Sequence, residues 1–137
     1  MQLELGMRLN PCIIEQVNGD MMRLVAALMD DPNPIHFDAD AVKSIGLGER
    51  LVIQGPVTVG FLLCMLGQNL GRADRVTRSE ARFLANVFEG DRVECSGEII
   101  AIDENRQIAI ASCRARVKEK NVVTLTAEID LNDTNFN

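Results

Sequence analysis

The sequence predicts an α+β fold in which an antiparallel sheet wraps around one long central helix. A continuous apolar segment opens on Gly55-Pro56 and stops at Gly71, which are a typical helix start and a typical helix stop. The second half of the chain instead alternates apolar and polar residues with a period of two, as in strands with one buried face. Helices followed by such strands pack as two layers around one core.

The composition fits a single domain over residues 1–137. The chain has 137 residues, of which 47% are hydrophobic, enough to build a core. The net charge is −6 and there is no Trp or Tyr, so nucleic acid is not an expected partner. The longest apolar run, 57–66, is shorter than the roughly 20 residues that span a bilayer, and Glu4 interrupts the N-terminus before any signal-like run. We therefore expect a cytoplasmic protein without a membrane partner.

The cysteine pattern argues against a metal site. No two cysteines form a Cys-x-x-Cys pair, and the chain has one histidine. We expect reduced and mostly buried thiols, no bound metal and no cofactor. The cysteines concerned are Cys12, Cys64, Cys95 and Cys113.

The first half of the chain predicts a strand and three helices. The strand covers residues 11–17, and residues 18–20 then form a turn that caps the first helix. Pro32 is expected to end that helix, and residues 39–46 suit a short second one. The third helix runs from Gly55 to about Leu70 and, being apolar on nearly all sides, should be buried. The apolar residues of the first helix follow at helical spacing: Met21, Leu24, Val25, Leu28 and Met29.

The second half predicts four strands joined as an antiparallel meander. They cover residues 76–85, 93–101, 107–118 and 123–131. Turns are expected at 89–91, 103–105 and 120–121, where Gly, Asp and Asn residues concentrate.

The segment from Asp30 to His36 carries the candidate chemistry. Asp30 and Asp31 stand at the C-terminal end of the predicted first helix, where the helix dipole disfavours each anion by roughly 0.3–1 kcal/mol. Residues that break such a local rule are more common at functional sites than elsewhere. Pro32 and Pro34 then fix φ at two of the next three positions and stiffen the path to His36. Asp31 and His36 are therefore a candidate acid–base pair.

Structural explanations exist for the same residues. A single histidine is more often a core or surface residue than a catalytic one, and Asp-Pro and Asn-Pro are ordinary turn formers. The spacing alone leaves both a catalytic and a structural role open.

The motif Asp31-Pro32-Asn33-Pro34-Ile35-His36 resembles the signature Asp-x-Asn-Pro-x-His of the MaoC-like dehydratases, also called the (R)-specific enoyl-CoA hydratase family. The loop 52–56 before the central helix and the segment 82–91 resemble the family too, so that the likeness covers about residues 5–131. Gln54 stands where many members have His, and Asn86 stands where many have Pro. The resemblance implies a single hot-dog domain, which is an antiparallel sheet wrapped around a long central helix.

The resemblance also implies an activity and its residues. The activity is the (R)-specific hydration of trans-2-enoyl thioesters, or the reverse dehydration of (3R)-hydroxyacyl thioesters, with coenzyme A or acyl-carrier protein as the carrier. Asp31 and His36 would activate one water, while the backbone N–H of Gly55 would bind the thioester oxygen at a helix N-terminus. The expected substrate-binding residues are Asn33, Gln54, Val57 and Phe61.

The resemblance further implies a homodimer or higher homo-oligomer in which two sheets join edge to edge. Four arginines after the central helix are candidates for binding the phosphates of the carrier, although a solvated strand face is the slightly favoured explanation for them. They are Arg72, Arg75, Arg78 and Arg82.

Three other functions compete with the hydratase. A hot-dog acyl-CoA thioesterase would share the fold but would not need the motif from Asp31 to His36. A non-catalytic, pocket-forming subunit of a heteromeric dehydratase would be expected to lose the acid or the histidine, and both are present. A small-ligand binding module stays open.

Overall fold

A computed structural model describes residues 2–132, and within this range it confirms the α+β class. The helices are α1 (Gly19–Leu28), α2 (Ala39–Ser44) and α3 (Gly55–Leu70). The strands are β1 (Cys12–Ile14), β2 (Val76–Phe83), β3 (Val93–Asp103), β4 (Ile108–Val117) and β5 (Lys120–Asp130). Short 3-10 turns lie at Pro34–His36 and Ala73–Arg75.

The strands form one antiparallel sheet that packs against α3. Its order is β1-β3-β4-β5-β2. The predicted meander is confirmed for β3 to β5, but the place predicted for β2 is wrong, because β2 pairs with β5 and not with β3. The helix α3 contacts all five strands, which places the core between this helix and one face of the sheet. The strand residues of that face are fully buried, as period-two alternation predicts. They include Val93, Cys95, Ile99, Ala109, Ala111, Ala115, Leu125, Ala127 and Ile129.

The bounds predicted for α3 are confirmed, but its expected burial on all sides is wrong. Gly71 follows the helix with a φ of 75°, a left-handed conformation that glycine adopts without strain. Leu62, Met65 and Leu66 are fully buried, whereas Phe61 is only half-buried and Cys64 is exposed. One sheet covers one side of a helix, so the opposite side of α3 stays uncovered in a single chain.

The helix α1 begins as predicted, but its apolar stripe faces solvent. The Asn18 side chain accepts hydrogen bonds from the N–H groups of Asp20 and Met21, at 2.8 and 3.1 Å. Leu24 and Leu28 are 60% and 77% exposed, whereas the residues that dock α1 on the core are Met22 and Ala26. Helical spacing thus predicted the helix correctly, although most of the apolar residues at that spacing are exposed.

Several further boundaries differ from the prediction, and two of them by more than two residues or by a displaced turn. The strand β1 covers only Cys12–Ile14, because its pairing with β3 stops there. The turn between β4 and β5 lies at residues 118–119 rather than 120–121. Lys118 turns the chain with a left-handed φ of 54°, and Lys120 is already paired with Val117.

Within residues 2–132, none of the helices is long and apolar enough to cross a membrane.

Candidate active site

The end of α1 sets the position of Asp31. Asp30 has a left-handed φ of 50°. The N–H of Asp30 donates to the carbonyl of Ala27 at 3.3 Å, and the N–H of Asp31 donates to the carbonyl of Ala26 at 2.9 Å. This is a Schellman motif, with Asp30 in the position that glycine usually fills. The helix therefore ends at Leu28, and the prediction that Pro32 ends it is wrong. Asp31 lies beyond the last helical turn, so the helix dipole disfavours its carboxylate less than we expected from the sequence.

Side-chain hydrogen bonds order the loop that follows. Asp31 Oδ1 accepts from the N–H of Asn33 at 3.0 Å, and Asn33 Oδ1 accepts from the N–H of Ile35 at 3.4 Å. The chain then forms the 3-10 turn Pro34–His36. Asn33 thus caps the turn that presents His36, and it also lines the pocket described below.

The imidazole of His36 is buried and has a defined tautomer. Its Nδ1 lies 2.6 Å from the carbonyl oxygen of Val52. Since a carbonyl only accepts hydrogen bonds, Nδ1 carries the hydrogen and donates it. In the neutral ring Nε2 is then an acceptor, and it lies 3.4 Å from Asp31 Oδ2. His36 is 8% exposed and the Asp31 side chain is 27% exposed. His36 lines the pocket described next, whereas Asp31 lies beside His36 and is not among the residues that line this pocket.

His36 and Gly55 line the same pocket, which has a volume of about 560 Å³. Gly55 is the first residue of α3, and the first N–H groups of a helix have no partner within it. A Cβ at position 55 would lie 2.8 Å from a ring carbon of Phe83, so only glycine fits there without a shift. Most of the other residues that line the pocket have apolar side chains. They come from Ile35, Val52, Ile53, Thr58, Phe83, Leu84, Ala85, Asn86, Val87 and Val123.

Comparison with known proteins identifies the family. The sequence model of the MaoC-like domain family matches residues 4–123. The chain belongs to the MaoC-like domain family. Over 90 residues, which are 65% of this chain and 66% of the relative, it is 32% identical to an (R)-specific enoyl-CoA hydratase of Aeromonas caviae. The match thus spans about two thirds of that relative.

Solved structures show the same fold and confirm the hot-dog prediction. An (R)-hydratase of Aeromonas caviae superposes with a TM-score of 0.85 at 26% identity, covering 95% of this chain and 98% of the other. A MaoC-like dehydratase superposes with a TM-score of 0.88 at 23% identity, covering 95% of this chain and 41% of that longer chain. At 23% identity the second match bears on the fold alone.

Three expected substrate-binding residues lie outside the pocket wall of this MaoC-like domain. They are Gln54, Val57 and Phe61. Val57 and Phe61 pack against the core and are half-buried. Gln54 is 1% exposed, and its Nε2 donates to the carbonyl of Met22 at 3.3 Å. It therefore ties the start of α3, which includes Gly55, to α1, which ends three residues before Asp31.

Several residues of the pocket were not anticipated from the sequence. The carbonyl of Val52, which orients His36, has no side-chain signature. Thr58 is buried in the first turns of α3 and lines the pocket. A hydroxyl within an otherwise apolar helix could have indicated from the sequence that this position faces a polar site. The stretch 83–86 forms a wall of the pocket because β2 ends at Phe83, whose ring lies next to Gly55 at the start of α3.

The four arginines after α3 do not converge on the pocket of the MaoC-like domain. Arg72 pairs with Asp74, and Arg75 is nearly buried and donates to the carbonyl of Asp130 at 3.0 Å. Nη1 of Arg78 lies 3.8 Å from Oε1 of Glu128. Both residues, together with Arg82, line a separate groove on the sheet. Among residues 2–132, no three His, Cys, Asp or Glu side chains are grouped closely enough to hold a metal ion.

Proposed function

We propose that this MaoC-like domain hydrates trans-2-enoyl thioesters to (3R)-hydroxyacyl thioesters, or catalyses the reverse dehydration. The observation that carries the proposal is the pairing of Asp31 and His36, 3.4 Å apart, beside a pocket that also contains the N-terminus of α3. The 32% identity to an (R)-specific enoyl-CoA hydratase supports the same reaction.

The pair is suited to hold one water. With Nδ1 donating to Val52, both Nε2 of His36 and the carboxylate of Asp31 accept hydrogen bonds. One water donates its two hydrogens to these two acceptors, and its lone pairs are then free to attack carbon 3 of the enoyl group. General bases in such positions typically contribute about 10²–10⁴-fold to the rate.

Gly55 is suited to stabilise the negative charge that forms. As the water oxygen bonds to carbon 3, the electrons of the double bond move to the thioester oxygen, while one water proton passes to the pair. The N–H of Gly55 stands at the positive end of the dipole of α3 and donates to that oxygen. The enolate then collapses, and the proton returns from the pair to carbon 2.

The walls of the pocket fit an acyl chain next to a polar head. Ile35, Ile53, Phe83 and Leu84 supply apolar surface, and Thr58 supplies a hydroxyl near the start of α3. We assign the acyl group to these apolar walls rather than to Val57 and Phe61, which lie outside them.

We further propose that the chain works as a homodimer joined through β2. This strand is at the edge of the sheet and mostly exposed, and an exposed edge is a template for another strand. Its alternating charges, Arg78, Glu80 and Arg82, are complementary when two copies run antiparallel in a register that places Glu80 of each copy opposite Arg78 or Arg82 of the other. The half-exposed side of α3 supplies apolar surface that a second copy would cover. Light scattering should give a particle of about twice 15.1 kDa, and a 15.1 kDa particle at micromolar concentration would contradict the dimer.

The reaction is tested by replacing the acid and the base. Asp31→Asn keeps the size of the side chain but removes the proton acceptor, and His36→Ala removes the second contact to the water. Each should lower crotonyl-CoA hydration, followed as loss of enoyl absorbance, by about 10²-fold or more. Because both act on one water, the double variant should be little worse than either single variant.

Asp30→Asn is the matched control, since it makes the same chemical change one residue away. Asparagine tolerates the left-handed φ of Asp30, so this variant should keep both fold and turnover. Free thiol is measured in the same reactions: its release without loss of the enoyl group would indicate thioester hydrolysis instead. If Asp31→Asn folded normally and kept full turnover, the proposed mechanism would be wrong.

A further inference from the structure

The carbonyl that orients His36 belongs to a short buried segment, residues 51–53, which is held from two sides. On one side the N–H of Val52 donates to the carbonyl of Ile35 at 3.0 Å. The carbonyl of Val52 accepts from Nδ1 of His36 at 2.6 Å. Both backbone groups of Val52 therefore face the turn that carries the imidazole.

The other side of this segment is paired with residues 87–89. Val52 and Phe88 form an isolated antiparallel bridge, and two backbone hydrogen bonds of 2.9 and 2.8 Å flank it. The flanking bonds run from the N–H of Ile53 to the carbonyl of Val87 and from the N–H of Glu89 to the carbonyl of Leu51. Neighbouring residues of an extended segment direct their backbone groups to opposite sides. The flanking bonds therefore point the carbonyl of Val52 towards His36.

An ion pair closes the outer edge of this bridge. Nη1 of Arg50 donates to Oδ1 of Asp91 at 2.7 Å and to the carbonyl of Glu89 at 2.9 Å. Oδ2 of Asp91 accepts from the N–H of Phe88 at 2.9 Å. The Asp91 side chain is only 10% exposed, so water competes little for these bonds. The pair thus joins the start of one bridged segment to the end of the other.

Asp91 is itself fixed by its backbone. Its N–H donates to the carbonyl of Phe88 at 3.0 Å, and its carbonyl accepts from the N–H of buried Val17 at 2.9 Å. The guanidinium of Arg50 lies over the ring of Phe88, 5.1 Å from the ring centroid. The carboxylate therefore stands on backbone that is bonded on both sides, and the arginine is held against it by more than charge.

We propose that Asp91, together with Arg50, is a positioning residue for His36, an inference that rests on the hydratase function above. Neither side chain is among those that line the active-site pocket, so both act through the backbone. The ion pair holds the bridge, the bridge directs the carbonyl of Val52, and this carbonyl keeps the hydrogen of the imidazole on Nδ1. Nε2 then stays free to accept a hydrogen from the water.

Loss of the carboxylate should loosen this arrangement. The N–H of Phe88 and the guanidinium of Arg50 lose their common acceptor, and the bridge is no longer closed at its outer edge. The hydrogen of the imidazole then distributes between the two ring nitrogens, and a ring with its hydrogen on Nε2 cannot accept from the water there. We expect kcat to fall about tenfold, less than the about 10²-fold expected for loss of the imidazole itself.

The test uses the fact that His36 is the single histidine of the chain. In protein without a histidine tag, nitrogen NMR of the imidazole at alkaline pH shows which nitrogen carries the hydrogen. In the wild type, Nδ1 should give the signal of a nitrogen with hydrogen and Nε2 that of a nitrogen without it. In Asp91→Ala the separation of the two signals should fall by about half, because exchange between the tautomers averages them.

Two milder variants and one control accompany this change. Asp91→Asn keeps an oxygen that accepts from the N–H of Phe88 but removes the charge, so its signal separation and kcat should lie between those of wild type and Asp91→Ala. Arg50→Met, at an exposed position, should move the signals in the same direction. Glu49→Ala is the matched control, because it removes a carboxylate next to Arg50 that pairs with Lys43 at 2.9 Å, outside the bridge. It should leave both the signals and kcat unchanged.

A thermal melt shows which variants are folded. The positioning role is overturned if the folded variants of Asp91 and Arg50 keep the wild-type nitrogen signals, or if the signals move while kcat does not. It is also overturned if Glu49→Ala changes the signals as much as Asp91→Ala does. The spectra need no substrate, so a failure of the wild type to hydrate crotonyl-CoA counts against the proposed reaction alone.

Discussion

Gly55→Ala should separate folding from catalysis in this protein. The added Cβ would lie 2.8, 3.1 and 3.3 Å from three ring carbons of Phe83, closer than ordinary van der Waals contact. The ring must move by several tenths of an ångström, or the start of α3 must move instead. Since Gly55 and Phe83 line the same pocket, either movement changes the space next to the N–H of Gly55.

The effect of this change on stability should be small. Phe83 is 57% exposed, so roughly 100 Å² of its side chain is covered. Uncovering half of that area costs about 1 kcal/mol. Replacing glycine by alanine in a helix gains up to about 1 kcal/mol, less at the first position. The free energy of unfolding should therefore change by no more than about 1 kcal/mol.

The effect on turnover should be large. The N–H of Gly55 is the proposed donor to the thioester oxygen, and misplacing a reacting group by about 1 Å typically costs on the order of 10²-fold. We expect kcat/KM for crotonyl-CoA to fall by about 10²-fold, measured by enoyl absorbance beside a urea unfolding curve. Phe83→Ala in the same chain removes the ring that the Cβ meets and should restore part of the loss.

Gly60→Ala is the control within the same helix. A Cβ at position 60 meets no atom within 4 Å, and the position lies outside the pocket wall. This variant should gain about 0.5–1 kcal/mol in stability and keep its turnover. If Gly55→Ala folded normally and retained the wild-type kcat/KM, the N-terminus of α3 would not be the site of the thioester oxygen.

Four further predictions each concern a single feature. Asp30→Gly should raise the free energy of unfolding by about 0.5–1 kcal/mol in urea, because it relieves the left-handed φ of 50° at the end of α1; an equal or lower stability would contradict that assignment. Burial raises the pKa of Cys95 and of Cys113 to about 12, so a disulfide reagent at pH 8 should label exposed Cys64 in the folded protein and reach Cys95 and Cys113 only in denaturant. The pKa values of both thiols in the folded protein lie above the ordinary thiol pKa of 9.0. The contribution of these two neutral thiols to the free energy of unfolding should therefore be complete below pH 9 and should fall as the pH rises towards 12. Hydration should survive chelating agents, and a loss that a divalent ion restores would show a metal requirement.

Local sequence signals predicted the elements whose ends are chemically marked. The bounds of α3 follow from Gly55-Pro56 and Gly71, and the start of α1 follows from Asn18. The predicted end of α1 was wrong by a few residues, because Asp30 adopts a left-handed conformation and aspartate at that position does not by itself indicate one. The turn at Lys118 was missed for the same reason.

The candidate site was only partly predictable. The motif from Asp31 to His36 was found by resemblance, and the structure places its acid and its imidazole 3.4 Å apart. Gln54 adjoins Gly55 in sequence, but its side chain points away from the pocket to the carbonyl of Met22. Adjacent residues on a helix face different directions, so closeness in sequence did not predict which of them lines the pocket.

The sequence by itself determined the class of fold, the central helix, the antiparallel run from β3 to β5 and the motif from Asp31 to His36. These depend on periodicity, on capping residues and on a short stiff segment, all of which act over a few neighbouring positions. The tertiary structure alone decided which carbonyl orients His36, which walls enclose the pocket and which faces of α1 and α3 remain uncovered. Those features arise where segments distant in sequence, 31–36, 52–58 and 83–87, pack together, and no local pattern encodes that contact.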